Sequence, residues 1–282
     1  MVSPKAYSRI QRYIRKTLNF REHKKVNQPL PTKNKWLVCP RPNPKADVRL
    51  FLFPYAGGAP TAFNKWANEF PDNIEINSIH YPGRSSRFNE APIKDISVLV
   101  EEIYRAILPM LDKPFIFFGH SMGSVLAFEL ARQLSRQNLT QPQILFVSAC
   151  AAPQQPNPNR PIHTSSDSEF IKSLQELNGI PAEVMSHSEL MELLLPTLRA
   201  DFEAIENYKY IADEHQLTCP IVAFGGVNDP RINREHLEAW SYQTNASFKS
   251  HYFSGDHFFI NTARQSMIAS IIAEIKTLDA TK

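Results

Sequence analysis

The stretch FFGHSMGSVLAFELA, residues 117–131, sets Ser121 between two glycines, directly after an apolar run and directly before a helical pattern. The run PFIFFG (114–119) is short, continuous and aromatic, which suits a strand buried on both faces. Residues 122–135 are apolar almost all round, so the helix they predict is a buried one. A turn tight enough to join the two puts Ser121 into strained dihedrals. Its flanks crowd neighbouring backbone, where any Cβ would clash. The hydroxyl then stands above the strand end, at a helix N-terminus whose free N–H groups favour developing negative charge. This is the setting of a nucleophile.

Working outward, the pattern repeats. VRLFLFP (48–54), IEINSIHYPG (74–83), QILFVSACA (143–151), CPIVAFGG (219–226) and SFKSHYF (247–253) read as strands. Ile96, Leu99, Val100, Ile103 and Ile107 mark an amphipathic helix, and Met267, Ile268, Ile271, Ile272 and Ile275 a closing one. Apolar strands alternating with helices predict an α/β fold with a mostly parallel sheet covered on both faces. One segment breaks the alternation. After the loop PQQPNPNRP (153–161) the chain is helix-rich to about residue 215, with Leu190, Leu193, Leu194, Leu198, Phe202 and Ile205 predicting a helical pair interrupted at Pro196. Residues 160–215 are therefore expected to be a helical lid over the strand ends.

The 282 residues carry a net charge of +3, unevenly spread. Residues 1–46 hold twelve Lys and Arg against one acid, a net +11, which leaves −8 for residues 47–282. The basic excess thus belongs to an N-terminal arm and linker (1–46), with a basic amphipathic helix at 5–20, and not to the domain at 47–282. Such an arm reads as a loosely docked, solvated segment, or as one that docks on an acidic partner or on an anionic membrane surface. No run is apolar enough to span a bilayer, no signal-peptide core follows the basic start, and the three cysteines are too few and too far apart for a metal pair or a disulfide set. A cytoplasmic monomer that neither inserts stably into membranes nor binds nucleic acid is expected.

A serine nucleophile needs a base and an orienting acid. The order Ser, acid, His is that of the α/β-hydrolases. Asp229, in GGVNDP after one strand, and His257, in SGDHFFI after the last, sit at strand C-termini, where doubly wound sheets build their sites. Asp256 is the weaker acid, because neighbours in an extended segment point apart. Asp201 and Asp213 fall in the lid. Two oxyanion donors are also required. Met122 N–H follows the nucleophile, and Ala56 N–H lies in FPYAGGAP, where Gly57 and Gly58 permit close approach.

With these residues assembled, the chain resembles the type II thioesterases of nonribosomal peptide and polyketide synthesis. The resemblance runs from about residue 48 to 278. It is carried by LFLFPYAGGAPTAFNKW, YPGRSSRFNEAP, FFGHSMGSVLAFELAR, ELLLPTLRADFEAIENYKY, PIVAFGGVNDP and GDHFFI. It implies an α/β-hydrolase fold and a triad of Ser121, His257 and Asp229. It also implies oxyanion donors at Ala56 and Met122, no metal and no cofactor of the protein's own. The implied substrate is an acyl group on the phosphopantetheine arm of an acyl or peptidyl carrier protein, cleared when the carrier is misprimed or stalled. Arg84 and Arg87, in YPGRSSRF, are expected to guide the arm's phosphate or the acidic carrier. A general esterase or acyltransferase on the same scaffold is the alternative. An intact elbow and triad argue against a non-catalytic binding protein.

Overall fold

The computed structural model describes residues 34–156, 160–180, 184, 187–212 and 216–279. The basic helix expected at 5–20 lies outside them, as do Asp213 and His215. Among the described residues seven strands form one sheet: β1 (Leu37–Val38), β2 (Val48–Phe53), β3 (Ile74–Ile79), β4 (Phe115–His120), β5 (Leu145–Ser148), β6 (Ile221–Gly226) and β7 (Phe248–Phe253). Their order is β1-β3-β2-β4-β5-β6-β7, and all pairs are parallel except β1 with β3. The mostly parallel sheet with helices on both faces is the α/β-hydrolase architecture that the sequence predicts.

Period-two alternation explains the two cores. Phe51, Phe53, Phe115 and Phe117 face one side, under α1 (Ile96–Ile107) and α2 (Met122–Arg136). Leu50, Leu52, Ile116 and Phe118 face the other, under Phe63, Trp66 and the closing helix α7 (Arg264–Asp279). Helix α1 starts at Asp95, whose carboxylate accepts from the Ser97 and Val98 N–H groups, and it buries all five of its predicted apolar positions. Between β6 and α7 come two short helices, α5 (Arg234–Glu238) and α6 (Phe259–Thr262), numbered after the lid helices α3 (Asp167–Glu176) and α4 (Ser188–Glu206). The lid has its own small core of Phe170, Leu174, Leu177, Met191, Leu198 and Phe202, and Ala56 and Phe258 pack against it.

Two expectations change. Residues 34–46, part of the expected linker, belong to the body: Trp36 and Ala46 are buried, and β1 pairs with β3 through Leu37–Ile79 and Val38–Ser78. The Arg87 guanidinium lies 4.3 Å from the Trp36 ring centroid. The other change is at Pro196. It does not split the lid helix, and α4 runs through it from Ser188 to Glu206. Proline forfeits one N–H bond, but burial of Met191 before it and of Leu198 and Phe202 after it holds the two halves in line.

The topology fixes where a site can form. The chain leaves β2 outward to β3 and returns to β4 on the other side of β2, so β2 and β4 flank the switch point. Phe53 is in register with Gly119. The loop after β2 and the turn after β4 therefore emerge side by side.

Candidate active site

At the end of β4 the chain reverses into α2 through Ser121, which has φ 53° and ψ −119°. The glycines are forced by contact. A Cβ on Gly119 would lie 2.2 Å from the Gly123 carbonyl oxygen, and one on Gly123 only 2.0 Å from that of Phe53. The strained turn is pinned from below. Ser121 N–H donates to Ser148 O at 2.8 Å, and Ser124 Oγ donates to Gly119 O at 2.8 Å while accepting from Ser148 N–H at 3.0 Å.

The three residues from three strand ends meet. His257 Nε2 is 3.0 Å from Ser121 Oγ, and His257 Nδ1 is 2.8 Å from Asp229 Oδ2. The other Asp229 oxygen accepts from the N–H groups of Arg231 (2.9 Å) and Ile232 (3.2 Å). Burial pushes the Asp229 carboxyl up, but its hydrogen bond to His257, the imidazole's charge and these two N–H groups outweigh burial and hold it below the usual carboxylate value. With a wholly buried carboxylate behind it, the imidazole has one nitrogen fixed as the Nδ1–H tautomer and the other aimed at the serine. Asp256 is engaged elsewhere. It accepts from Phe258 N–H at 2.8 Å and from Asn178 Nδ2 at 3.0 Å, tying the His257 loop to the lid.

Ala56 and Met122 both line the cavity over Ser121. Among the described residues neither backbone N–H has an acceptor, as two donors kept for a ligand oxygen require. The cavity is small, about 210 Å³, and mixed, with Tyr55, Val125, Leu177, Phe202, Ile232 and Phe258 in its wall. A larger cavity of about 480 Å³ lies between α1, α2 and the end of α4, walled by groups such as Lys94, Glu129 and Gln133. It touches no member of the triad, so the chemistry is assigned to the smaller one. No group of three His, Cys, Asp or Glu able to hold a metal ion occurs among the described residues.

Three further residues take their roles from contacts that the fold makes. His120 is wholly buried, with Nδ1 2.9 Å from Ser148 Oγ and Nε2 3.0 Å from His257 O, so it braces the loop carrying His257. Burial, and then the neighbouring His257 charge, pull its pKa down to about 3. The unfolded chain, near 6.5, then binds a proton that the folded chain refuses. Stability therefore falls as pH drops below about 6.5, by about 1.4 kcal/mol per unit, until the folded value near 3 is reached. Between pH 7 and 5 the wild type should lose about 2 kcal/mol more in urea unfolding than His120→Gln does. Equal losses would show that His120 is not held neutral.

The second and third are Arg84 and Arg87. Neither is free to guide a phosphate. Arg84 is buried in a two-pronged ion pair with Asp201, at 2.6 and 2.7 Å. Arg87, also buried, bonds both Glu90 oxygens, at 2.9 and 2.8 Å, and the His80 carbonyl. The partner of Arg84, 117 residues away, leaves no local pattern, and an arginine in a Gly/Ser loop reads as exposed even where, as for Arg87, a carboxylate stands three residues on. Cys150 and Cys219 are unpaired, and burial pushes both thiols up to about 12.

Residues 48–275 match the family described as Thioesterase domain. The chain is 42% identical over 249 residues to the gramicidin S biosynthesis protein GrsT of Aneurinibacillus migulanus, covering 88% of this chain and 97% of that protein. It is 41% identical over 247 residues to linear gramicidin dehydrogenase LgrE of Brevibacillus parabrevis, covering 86% and 94%. The solved structure of the type II thioesterase BorB from the borrelidin biosynthetic cluster matches with a TM-score of 0.78 at 34% identity, covering 85% of this chain and 96% of that one.

Proposed function

The chain belongs to the thioesterase domain family and is a thioester hydrolase, and on that premise we propose how it works and on what. His257 takes the Ser121 proton as Oγ attacks the acyl carbonyl carbon. The charge that forms on the carbonyl oxygen is held by the N–H groups of Ala56 and Met122, and Asp229 stabilises the imidazolium. Collapse breaks the C–S bond, and the departing thiolate takes the proton from His257. Water, deprotonated by the same imidazole, then releases the acyl group as the acid and restores Ser121. The observation that carries this reading is the chain of contacts from Ser121 through His257 to Asp229, 3.0 and 2.8 Å long, beneath two uncommitted N–H groups.

The substrate we propose is an acyl group on the phosphopantetheine arm of an acyl or peptidyl carrier protein, in nonribosomal peptide or polyketide synthesis. GrsT is named for gramicidin S biosynthesis and BorB for the borrelidin cluster, which supports this class. The dehydrogenase in LgrE's name finds no counterpart in the family match or in the triad geometry. The pantetheine belongs to the carrier, so the chemistry assigned draws on no cofactor of the enzyme's own. A thioester carbonyl is more electrophilic than an ester's. The small cavity suits a short acyl group and the end of a slender arm. No described helix is long and apolar enough to cross a membrane.

The discriminating assay compares an acylated carrier protein with an aryl ester and an oxygen-ester lipid. We expect kcat/KM to favour the carrier on the order of 100-fold, about 2.7 kcal/mol of extra transition-state binding. Equal or reversed preference would turn the assignment to a general esterase or acyltransferase.

A further inference from the structure

The loop that offers the Ala56 N–H is gripped at three points by groups outside the triad. Tyr81 Oη donates to Pro54 O at 3.1 Å. Asp201 Oδ2 accepts from Gly57 N–H at 2.6 Å. Arg84 Nη1 donates to Gly58 O at 3.2 Å. Ala56 lies between these anchors, and its own N–H is left for the cavity. Two of the anchors are one unit, because Arg84 and Asp201 form the buried two-pronged pair, 5% and 1% exposed. Asp201 stands on α4, the long lid helix, and one turn earlier on α4 Thr197 Oγ1 donates to Gly83 O at 2.7 Å. The Arg84 guanidinium also lies over the Tyr81 ring, 5.1 Å from its centroid. Lid helix, YPGR turn and oxyanion loop therefore meet at one carboxylate.

We propose that Asp201, through Arg84, is a positioning residue for the reaction: it locks the oxyanion loop and the lid helix into one arrangement and so sets where the Ala56 N–H points. The inference rests on the catalytic reading above. A buried ion pair contributes little net stability, since an apolar pair of similar volume often serves as well. What it supplies here is direction. Its carboxylate accepts two guanidinium N–H bonds and a backbone N–H at once, and only one placement of the loop satisfies all three. An oxyanion donor works only where the developing charge forms, so loss of that placement costs rate while substrate binding survives.

The test uses the full chain and butyryl-N-acetylcysteamine, a small thioester that needs no carrier docking. Asp201→Asn keeps an acceptor for Gly57 but gives up the charge, leaving Arg84 buried and unpaired. The double variant Arg84→Met/Asp201→Asn removes that stranded charge. We expect Asp201→Asn to lower kcat by about 10- to 100-fold, with KM within threefold and the pH–rate profile unmoved, since Asp229 and His257 are untouched. Affinity for a trifluoromethyl ketone analogue, which adds to Ser121 as an oxyanion, should fall by the same factor as kcat. In the double variant Tm should recover toward the wild type while kcat stays low. Recovery of kcat together with Tm would overturn the proposal, as would loss of kcat with analogue affinity intact. Failure of the catalytic reading looks different: wild-type turnover of this thioester would then survive Ser121→Ala.

Discussion

Replacing Ser121 by Ala is expected to lower turnover of a carrier-bound thioester by about 10³- to 10⁶-fold while leaving the fold intact. The reason is specific to the geometry. Ser121 Oγ lines the cavity and lies 3.0 Å from His257 Nε2, within reach of the base. Without it, no covalent step divides the reaction, and water must attack the acyl group directly. What survives is the residual effect of the two N–H donors and of binding. Stability should hardly change. The Ser121 N–H bond to Ser148 O is a backbone bond that alanine keeps, and Ser121 Oγ bridges nothing below the turn. Single-turnover thiol release, with circular dichroism as the control, reads both quantities. A variant within tenfold of the wild type would remove Ser121 from the mechanism.

The other large effect is on the fold. Gly123→Ala places a methyl group 2.0 Å from Phe53 O and 2.8 Å from Pro54 O. Both obstacles are backbone, one at the end of a strand paired on both sides, so neither can swing away as a side chain would. Relief requires α2 to lift from the sheet, opening its contacts with the strands below. We expect a loss of about 3 kcal/mol or more, read as a lowered urea midpoint. Activity should fall further than the folded fraction does, because the same displacement carries Met122 N–H and Ser121 away from His257. A midpoint within experimental error of the wild type would mean that α2 does not sit as close to β2 as described.

These two positions were legible in the sequence for one physical reason: the elbow is local. A buried strand, a tight turn and a buried helix succeed each other within 23 residues (114–136), and each constrains the next. Asp229 and His257 were legible almost as well, because parallel strands put their C-terminal ends on one edge and the functional loops follow directly. Strand β1 was hidden by its length of two residues and by the Lys- and Pro-rich context around Trp36. The continuous α4 was hidden because proline's local preference competes with burial on both sides of it, and burial won. The Arg84–Asp201 pair was illegible in principle. Charge alone cannot say whether an arginine faces solvent or a carboxylate 117 residues away, and the exposed reading lost to a partner that only the folded chain brings near.

The central claim is that the acyl group passes through a covalent ester on one serine. An acylated carrier protein mixed with excess enzyme, quenched in acid within the first turnover and analysed by intact mass and peptide mapping, reads it directly. The expected result is an acyl adduct confined to the peptide containing Ser121, formed before the free acid and accumulating when Asp229→Asn slows the second half of the reaction. Full release of the acid with no adduct at any time, or an adduct on another residue, would contradict the account.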